Sequence, residues 1–272
     1  MTSRRKEAQN AKRKRGRKKI VLMIVEGPSD VEALAEPLAN TIYALDPDIE
    51  FYPSYLGDKA TKSSETEDRG DVTSKYGVNP TSVEHVIDKL YLRPFFQNTP
   101  FYPKDITKIV HVVDTDGAFV PNECVMPAAE GAIGHIYHDD SIVTSDVPGI
   151  IERNERKADN LRHLASIATI KTGYDKKKRA MPYGIYFFSS NLDHFLHGDA
   201  NIDSHKKVLL AKEFADRCCK RPSLFFDTIQ GDARFVGCDY AESWSLIQAG
   251  CSSLERHTNI GNLIDEFQRL AG

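Results

Sequence analysis

Three acidic residues have the types and the spacing for one piece of chemistry. Glu26 follows the apolar run Ile20-Val-Leu-Met-Ile-Val25, and Asp114 and Asp116 follow a second run, Ile109-Val-His-Val-Val113. Alternate residues of an extended chain point to the same side, so Asp114 and Asp116 can present both carboxylates to one point, and Gly117 then frees the backbone to turn away. Three carboxylates gathered without a cation repel one another and shift their pKa values. A divalent ion resolves that repulsion. Mg²⁺ (or Mn²⁺) prefers oxygen donors and is often held by a few carboxylates, waters and a substrate phosphate. An ion held in this way polarises a phosphoryl oxygen and activates water. The expected site is therefore one for phosphodiester hydrolysis, with Glu26, Asp114 and Asp116 as metal ligands and catalytic residues. Asp30, four residues after Glu26, is a further candidate ligand, although an acid in the first turn of a helix is favoured by the helix dipole in any case.

Strands must bring these residues together. Continuous apolar runs bounded by turn signals suit strands buried on both faces of a parallel sheet. A third such run, Gly184-Ile-Tyr-Phe-Phe188, ends in Ser189-Ser190-Asn191. Parallel strands place their C-terminal ends along one edge, where open α/β sheets bind ligands. Ser190, Asn191 and the nearby Asp193 thus become candidate active-site residues. Pro28 suits a first helical turn, and Val31, Leu34, Ala35, Leu38 and Ile42 follow at helical spacing. Residues 49–56 suit a strand at a sheet edge, because Pro53 cannot donate to a ladder. Helices are expected over 82–91, 150–167, 206–220 and 260–270. Residues 57–82, rich in Gly, Ser, Thr, Asp and Lys, suit a loop, and 118–149 lack any period and suit an irregular insertion. The fold class is α/β, a mostly parallel central sheet with a mainly helical C-terminal part. The expected organisation is a basic arm over 1–19, a main domain over 20–200 with insertions near 57–105 and 118–149, and a helical extension over 201–272.

Charge is unevenly distributed. The 272 residues carry a net charge of −3, yet residues 1–19 contain ten Lys/Arg against the single acid Glu7, a net of +9 that leaves −12 on the remainder. A basic arm on an acidic body often contacts phosphate backbones. Arg13, Lys14, Arg15, Arg17 and Lys18, together with the cluster Lys176, Lys177, Lys178 and Arg179, are the candidate nucleic-acid contacts; a solvated arm and a solvated loop are the bland alternatives. No apolar run approaches the roughly 20 residues needed to span a bilayer, and the basic N-terminus lacks the apolar core of a secretion signal. Five scattered cysteines without a CxxC pair argue against a disulfide framework and for a reducing cytoplasm.

Val25-Glu26-Gly27-Pro28-Ser29-Asp30 after one apolar strand and Val113-Asp114-Thr115-Asp116-Gly117 after a later one resemble the TOPRIM (topoisomerase–primase) domain. The resemblance covers roughly residues 18–200. It implies a Rossmann-like fold in which Glu26, Asp114 and Asp116 hold Mg²⁺. The short Glu-Gly-x-Ser-Asp form is more similar to OLD-type nucleases than to the large topoisomerases. Phe188-Ser-Ser-Asn191-Leu-Asp193-His-Phe-Leu-His197 is similar to the stretch after the last strand in RloB-like defence nucleases, with Asp193 where a Glu is usual. The resemblance implies an endonuclease acting on RNA, such as tRNA, or on DNA, and a toxic effector role in antiviral defence. Since the chain has no Gly-x-x-x-x-Gly-Lys-Ser/Thr loop, it also implies a separate OLD/ABC-type ATPase subunit as partner; assembly as a homo-oligomer is compatible with it.

Other constellations are weaker. Cys124, His135 and His138 match no common zinc spacing and lack a fourth ligand. His194 and His197 suit a helical surface pair as well as a substrate contact. Trp244, Phe225 and Phe226 suit the core. Two rival functions remain open: a non-catalytic scaffold that binds nucleic acid or an ATPase, and a phosphoryl-accepting receiver, the latter lacking a later strand with a well-placed Ser/Thr and Lys.

Overall fold

The computed structural model describes residues 18–55, 71–174, 178–231 and 237–271. Its centre is a five-stranded sheet formed by β1 (Lys19–Val25), β2 (Ile49–Tyr55), β3 (Ile106–Asp114), β7 (Thr169–Lys171) and β8 (Ala180–Phe188), in the order β2-β1-β3-β8-β7. The first four strands in that order are parallel, and the short β7 runs antiparallel at the edge. The three apolar runs are therefore direct neighbours. Pro53 sits on edge strand β2, opposite Met23, the place where a missing N–H costs least.

The apolar runs are continuous because each strand feeds two cores. Along β1, Ile20, Leu22 and Ile24 enter one core, while Val21, Met23 and Val25 enter the other. On β8, Tyr183, Ile185 and Phe187 enter the first core and Tyr186 and Phe188 the second. This is the period-2 alternation of a strand covered on both faces.

One face is covered by α1 (Pro28–Leu45), α6 (Ser204–Lys220), α7 (Ser223–Gln230) and α9 (Ile260–Ala271), through Leu34, Leu38, Phe214, Phe225, Ile229, Leu263 and Phe267. Three helices after residue 200, α6, α7 and α9, thus share the second core with β1 and β3. The other face is covered by α4 (Val147–Ser166), α8 (Tyr240–Leu246) and a helical run made of α2 (Val83–Ile87), a π-helical turn (Asp88–Leu92) and α3 (Arg93–Asn98). The expected helix over 82–91 therefore continues to Asn98. Between β8 and α6 lies the short α5 (Leu192–His197).

The insertion over 118–149 is not irregular. It holds a second sheet, β4 (Val125–Pro127), β5 (His135–Tyr137) and β6 (Ile142–Thr144), in the order β4-β6-β5. Each strand has only three residues, too few to register a period. Val120, Val125, Tyr137 and Ile142 bury a small core of their own against Ile150 and Leu254. Among the described residues, no helix is long and apolar enough to cross a membrane.

Candidate metal centre

The C-terminal edge of the parallel strands collects the acids. Glu26 follows β1 directly, and its Oε1 accepts the backbone N–H of Asp114 at 3.1 Å, which ties the ends of β1 and β3 together. Asp114 closes β3, and its Oδ1 accepts the N–H of Leu192 at 2.9 Å, at the start of α5. The chain then leaves the extended conformation: Asp116 has φ +49° and Gly117 φ +73°. The expected same-side alternation of Asp114 and Asp116 therefore does not operate, because the strand ends at Asp114. The two carboxylates turn to different partners.

Asp116 meets two residues from other parts of the chain. Single carboxylate oxygens of Glu26, Asp71 and Asp116 all lie within 4.8 Å of one another, and among the described residues this is the group of acids arranged to hold an ion. Asp114 and Asp30 do not belong to it. Asp71 comes from the segment read as a loop, but it is fixed: its oxygens accept the N–H of Thr73 at 2.8 Å and the Thr73 hydroxyl at 2.5 Å. Lys157 of α4 enters the same space. Its Nζ lies 2.6 Å from Asp116 Oδ2, 2.9 Å from Asp71 Oδ2 and 3.4 Å from Glu26 Oε1, and its side chain is fully buried.

The charge states follow from this packing. Burial pushes the Glu26 carboxyl well above its ordinary value; Lys157 opposes the shift, while Asp71 and Asp116 add to it. Burial, with Glu26 next, raises Asp114 in the same way. Burial also acts to raise Asp71, but Lys157 and the Thr73 hydrogen bonds outweigh it and hold this carboxyl below its usual value. Burial works against the Lys157 ammonium, yet Asp116, Asp71 and Glu26 together raise its pKa well above normal. Lys157 is therefore a cation, and Asp71 an anion, at neutral pH.

A second lysine serves the other side of the edge. Lys207 of α6 binds Asp193 Oδ2 at 2.7 Å; burial works against its ammonium, yet Asp193, with smaller help from Asp114 and Asp30, raises its pKa. Asp30 is a helix-terminal group as the dipole argument expects, its Oδ2 accepting the Gly27 N–H at 2.9 Å; burial pushes its carboxyl up to about 6. Asn191 is the cap of α5, accepting from the His194 N–H at 2.9 Å and donating to the Ala200 carbonyl at 2.8 Å. Ser190 is fully buried with φ +56°.

The insertion covers the opposite flank. The Tyr137 hydroxyl of β5 donates to Asp116 Oδ1 at 3.4 Å and accepts from Arg153 of α4 at 3.3 Å, while Arg153 also donates to the Asp116 carbonyl at 2.8 Å.

The floor is closed by the segment that precedes α9. Thr115 Oγ1 donates to the Ser253 carbonyl at 2.7 Å and accepts the Ser190 N–H at 2.8 Å, and Asp116 N–H donates to the Ser190 carbonyl at 2.8 Å. The Ser189 N–H reaches the His257 carbonyl at 2.9 Å. Two non-glycine residues, Asp116 and Ser190, are thus held left-handed by a shared network, as strained residues at functional sites commonly are. Thr115→Val should lower stability by about 1 kcal/mol, since the Ser190 N–H still donates to the Ser253 carbonyl at 2.7 Å and neither partner is left bare; urea unfolding measures the change, and an unchanged midpoint would refute this account of the floor.

Of the basic residues expected to grip nucleic acid, Lys18, Lys178 and Arg179 are described, and they lie away from the acids. Residues 1–17 and Lys176 and Lys177 lie outside the described residues, so Arg13, Lys14, Arg15 and Arg17 have no described position. Lys18 pairs with Glu50 just before β1. Lys178 and Arg179 are exposed just before β8. In a parallel sheet, residues that enter the strands and residues that leave them lie at opposite edges. The seven residues of β1 at about 3.3 Å each set Lys18 roughly 23 Å from the carboxylates. Among the described residues, the cations at the site are Lys157, Arg153 and Lys207, none of which the sequence pattern singled out.

Cys124, His135 and His138 do not form a metal-binding group among the described residues. Trp244 and Phe225 are buried, as expected, whereas Phe226 is 38% exposed. No family model matches this chain, and neither a curated protein nor a solved structure is significantly similar to it.

Proposed function

We propose that the chain is a divalent-metal-dependent nuclease of the TOPRIM kind, with Glu26, Asp71 and Asp116 as the metal-holding carboxylates and Asp114 bracing Glu26 from the neighbouring strand. The observation that carries this reading is the meeting of those three carboxylates within 4.8 Å, at the C-terminal edge of a parallel sheet and around a buried ammonium. The donor set is all oxygen, which suits Mg²⁺ or Mn²⁺ rather than a soft metal. The Lys157 ammonium is a stand-in cation, and its contacts indicate that the pocket favours positive charge.

A divalent ion held there supplies electrophilic stabilisation of a phosphoryl oxygen and a more acidic water. The protein groups do the rest. Acidic side chains outnumber basic ones at this edge, so when they ionise they repel a polyanion until positive charge is added. Glu26 must give up the proton that burial favours before it can act as a ligand. Arg153 and Tyr137 fix the Asp116 main chain and carboxylate, so that its oxygens need not reorganise. Lys207 is a partly exposed cation of the site, 32% accessible, as Arg153 is, and is suited to the backbone of a bound strand. RNA such as tRNA and DNA are both candidate substrates, and a separate ATPase subunit is the partner the resemblance implies.

The test is a cleavage assay on tRNA, single-stranded DNA and duplex DNA with Mg²⁺, Mn²⁺ or EDTA. Cutting that requires metal and disappears in Glu26→Ala is expected. Metal-independent cutting, or full activity in Glu26→Ala, would remove Glu26 from the mechanism. One observation favours a second reading, a non-catalytic scaffold: Lys157 already gives the triad a cation. Absence of cutting in every condition, with an ATPase partner included, would select it.

A further inference from the structure

We infer that Lys157 is a resident counter-ion: it keeps the Glu26–Asp71–Asp116 triad assembled when no metal is bound, and a divalent ion enters by competing with it. The exchange, though not the assembly, rests on the metal-site reading proposed above.

The placement of Lys157 is hard to explain otherwise. Lysine is among the residues least often fully buried unless paired, yet this one has no exposed side-chain surface. It lies on the core-facing stripe of α4, with Ile150, Asn154, Leu161 and Leu164, at spacings of three and four residues. A hydrophobic residue would fill that position without the cost of burying an ammonium. What an apolar residue cannot do is bind three carboxylates delivered by three separate segments: the end of β1, the stretch holding Asp71 and Thr73, and the turn after β3. Nζ reaches all three, at 2.6, 2.9 and 3.4 Å. Without it, the three carboxyl groups would face one another across less than 4.8 Å in a poorly hydrated space, where those that are ionised repel strongly.

The same geometry sets up competition. A Mg²⁺-like ion needs carboxylate oxygens at about 2.1 Å in near-octahedral array. An ammonium hydrogen-bonded to those same oxygens occupies the space between them. The ion must therefore take at least one carboxylate from Lys157, and Lys157 sets a threshold below which the site remains metal-free but built.

The experiment compares the full chain with Lys157→Met, with Asp71→Asn and with Lys157→Met/Asp71→Asn, using melting in EDTA, melting in Mn²⁺ and Mn²⁺ binding by titration. In EDTA the wild type should stay folded, while Lys157→Met should melt about 10 °C lower, because it leaves buried charges uncompensated. Mn²⁺ should raise the melting temperature of Lys157→Met much more than that of the wild type. Lys157→Met should also bind Mn²⁺ more tightly, on the order of tenfold, having no ammonium to displace. If Lys157→Met is too unstable to purify, the double variant, with one acid fewer, should fold, and Mn²⁺ should stabilise it more than it stabilises Asp71→Asn alone, the comparison in which both proteins lack the same ligand; equal stabilisation of the two would overturn the competition. Equal melting of wild type and Lys157→Met in EDTA would overturn the counter-ion role while leaving the nuclease reading intact. Weaker Mn²⁺ binding by the variant would overturn the competition. Failure of every protein to bind Mn²⁺ would overturn both the exchange and the metal-site reading, with the EDTA comparison still deciding whether Lys157 assembles the triad.

Discussion

Asp71→Asn should reduce metal-dependent cleavage by about 10²–10³-fold, the scale on which removing one preorganised electrostatic group acts. The substitution is nearly isosteric and preserves an oxygen that can accept from Thr73, so the local fold survives. What it removes is one negative charge from a group of three and one of the three partners of Lys157. The stability loss should be smaller, about 1–3 kcal/mol, because Lys157 retains Asp116 and Glu26. Rates on the substrate identified by the cleavage assay, with circular dichroism to verify folding, separate the two effects. A well-folded Asp71→Asn protein cutting at the wild-type rate would show that the ion is held by the strand-end acids alone, and Asp114→Asn would then be the damaging change.

Gly117→Ala should be among the most destabilising single-methyl changes in the molecule. Gly117 has φ +73°, and a Cβ built on it would lie 2.6 Å from Ile142 Cδ1 and 3.1 Å from Leu254 Cδ2. Left-handed backbone costs an L-residue about 1–2 kcal/mol, and forcing a methyl into a packed site costs about 1–3 kcal/mol more. Ile142 is fully buried in the small core of the insertion and has little freedom to retreat. At about 2–4 °C per kcal/mol for a protein of this size, the melting temperature should fall by roughly 5–15 °C. Activity should fall with it, since Gly117 comes directly after Asp116 in the turn. A scanning-calorimetry shift of a degree or less would mean that the turn and the insertion relax freely, and that Asp116 is less rigidly held than its hydrogen bonds indicate.

What the sequence makes legible and what it hides differ for physical reasons. The strands β1, β3 and β8 are legible because burial on both faces forces long apolar runs, and few other arrangements need them. Glu26 is legible with them, being the polar residue where a run stops, and so is Asp116, two residues beyond Asp114 where the next run stops. Asp71 is hidden: it lies in a segment whose Gly, Ser, Thr and Asp content reads as a loop, and its fixation by Thr73 is a tertiary fact. A weak signal exists in Val72 and Thr73, which are both buried, but a single apolar residue in a polar stretch has no period to betray it. Lys157 left a clearer trace. Asn154 and Lys157 interrupt the apolar stripe Ile150–Leu161–Leu164 of α4, and polar groups on a core face need partners. The position of Lys178 and Arg179 was also readable in principle. The N-terminal and C-terminal ends of parallel strands lie at opposite edges of the sheet, so Lys178 and Arg179, which lead into β8, sit at the edge opposite the acids that come after β1 and β3.

The closing of the floor by Ser253 has a consequence in time as well as space. Thr115 and its carbonyl partner are 138 residues apart. At about 5–20 residues per second, roughly 7–28 s of synthesis separate the moment the ribosome makes the Asp114–Gly117 turn from the moment it makes the segment that pins that turn. Contacts of such long range also form slowly once the chain is complete. Glu26, Asp71, Asp116 and Lys157 are all present in the nascent chain long before the turn can be fixed, so the acidic edge takes its final form only after Ser253 has been made.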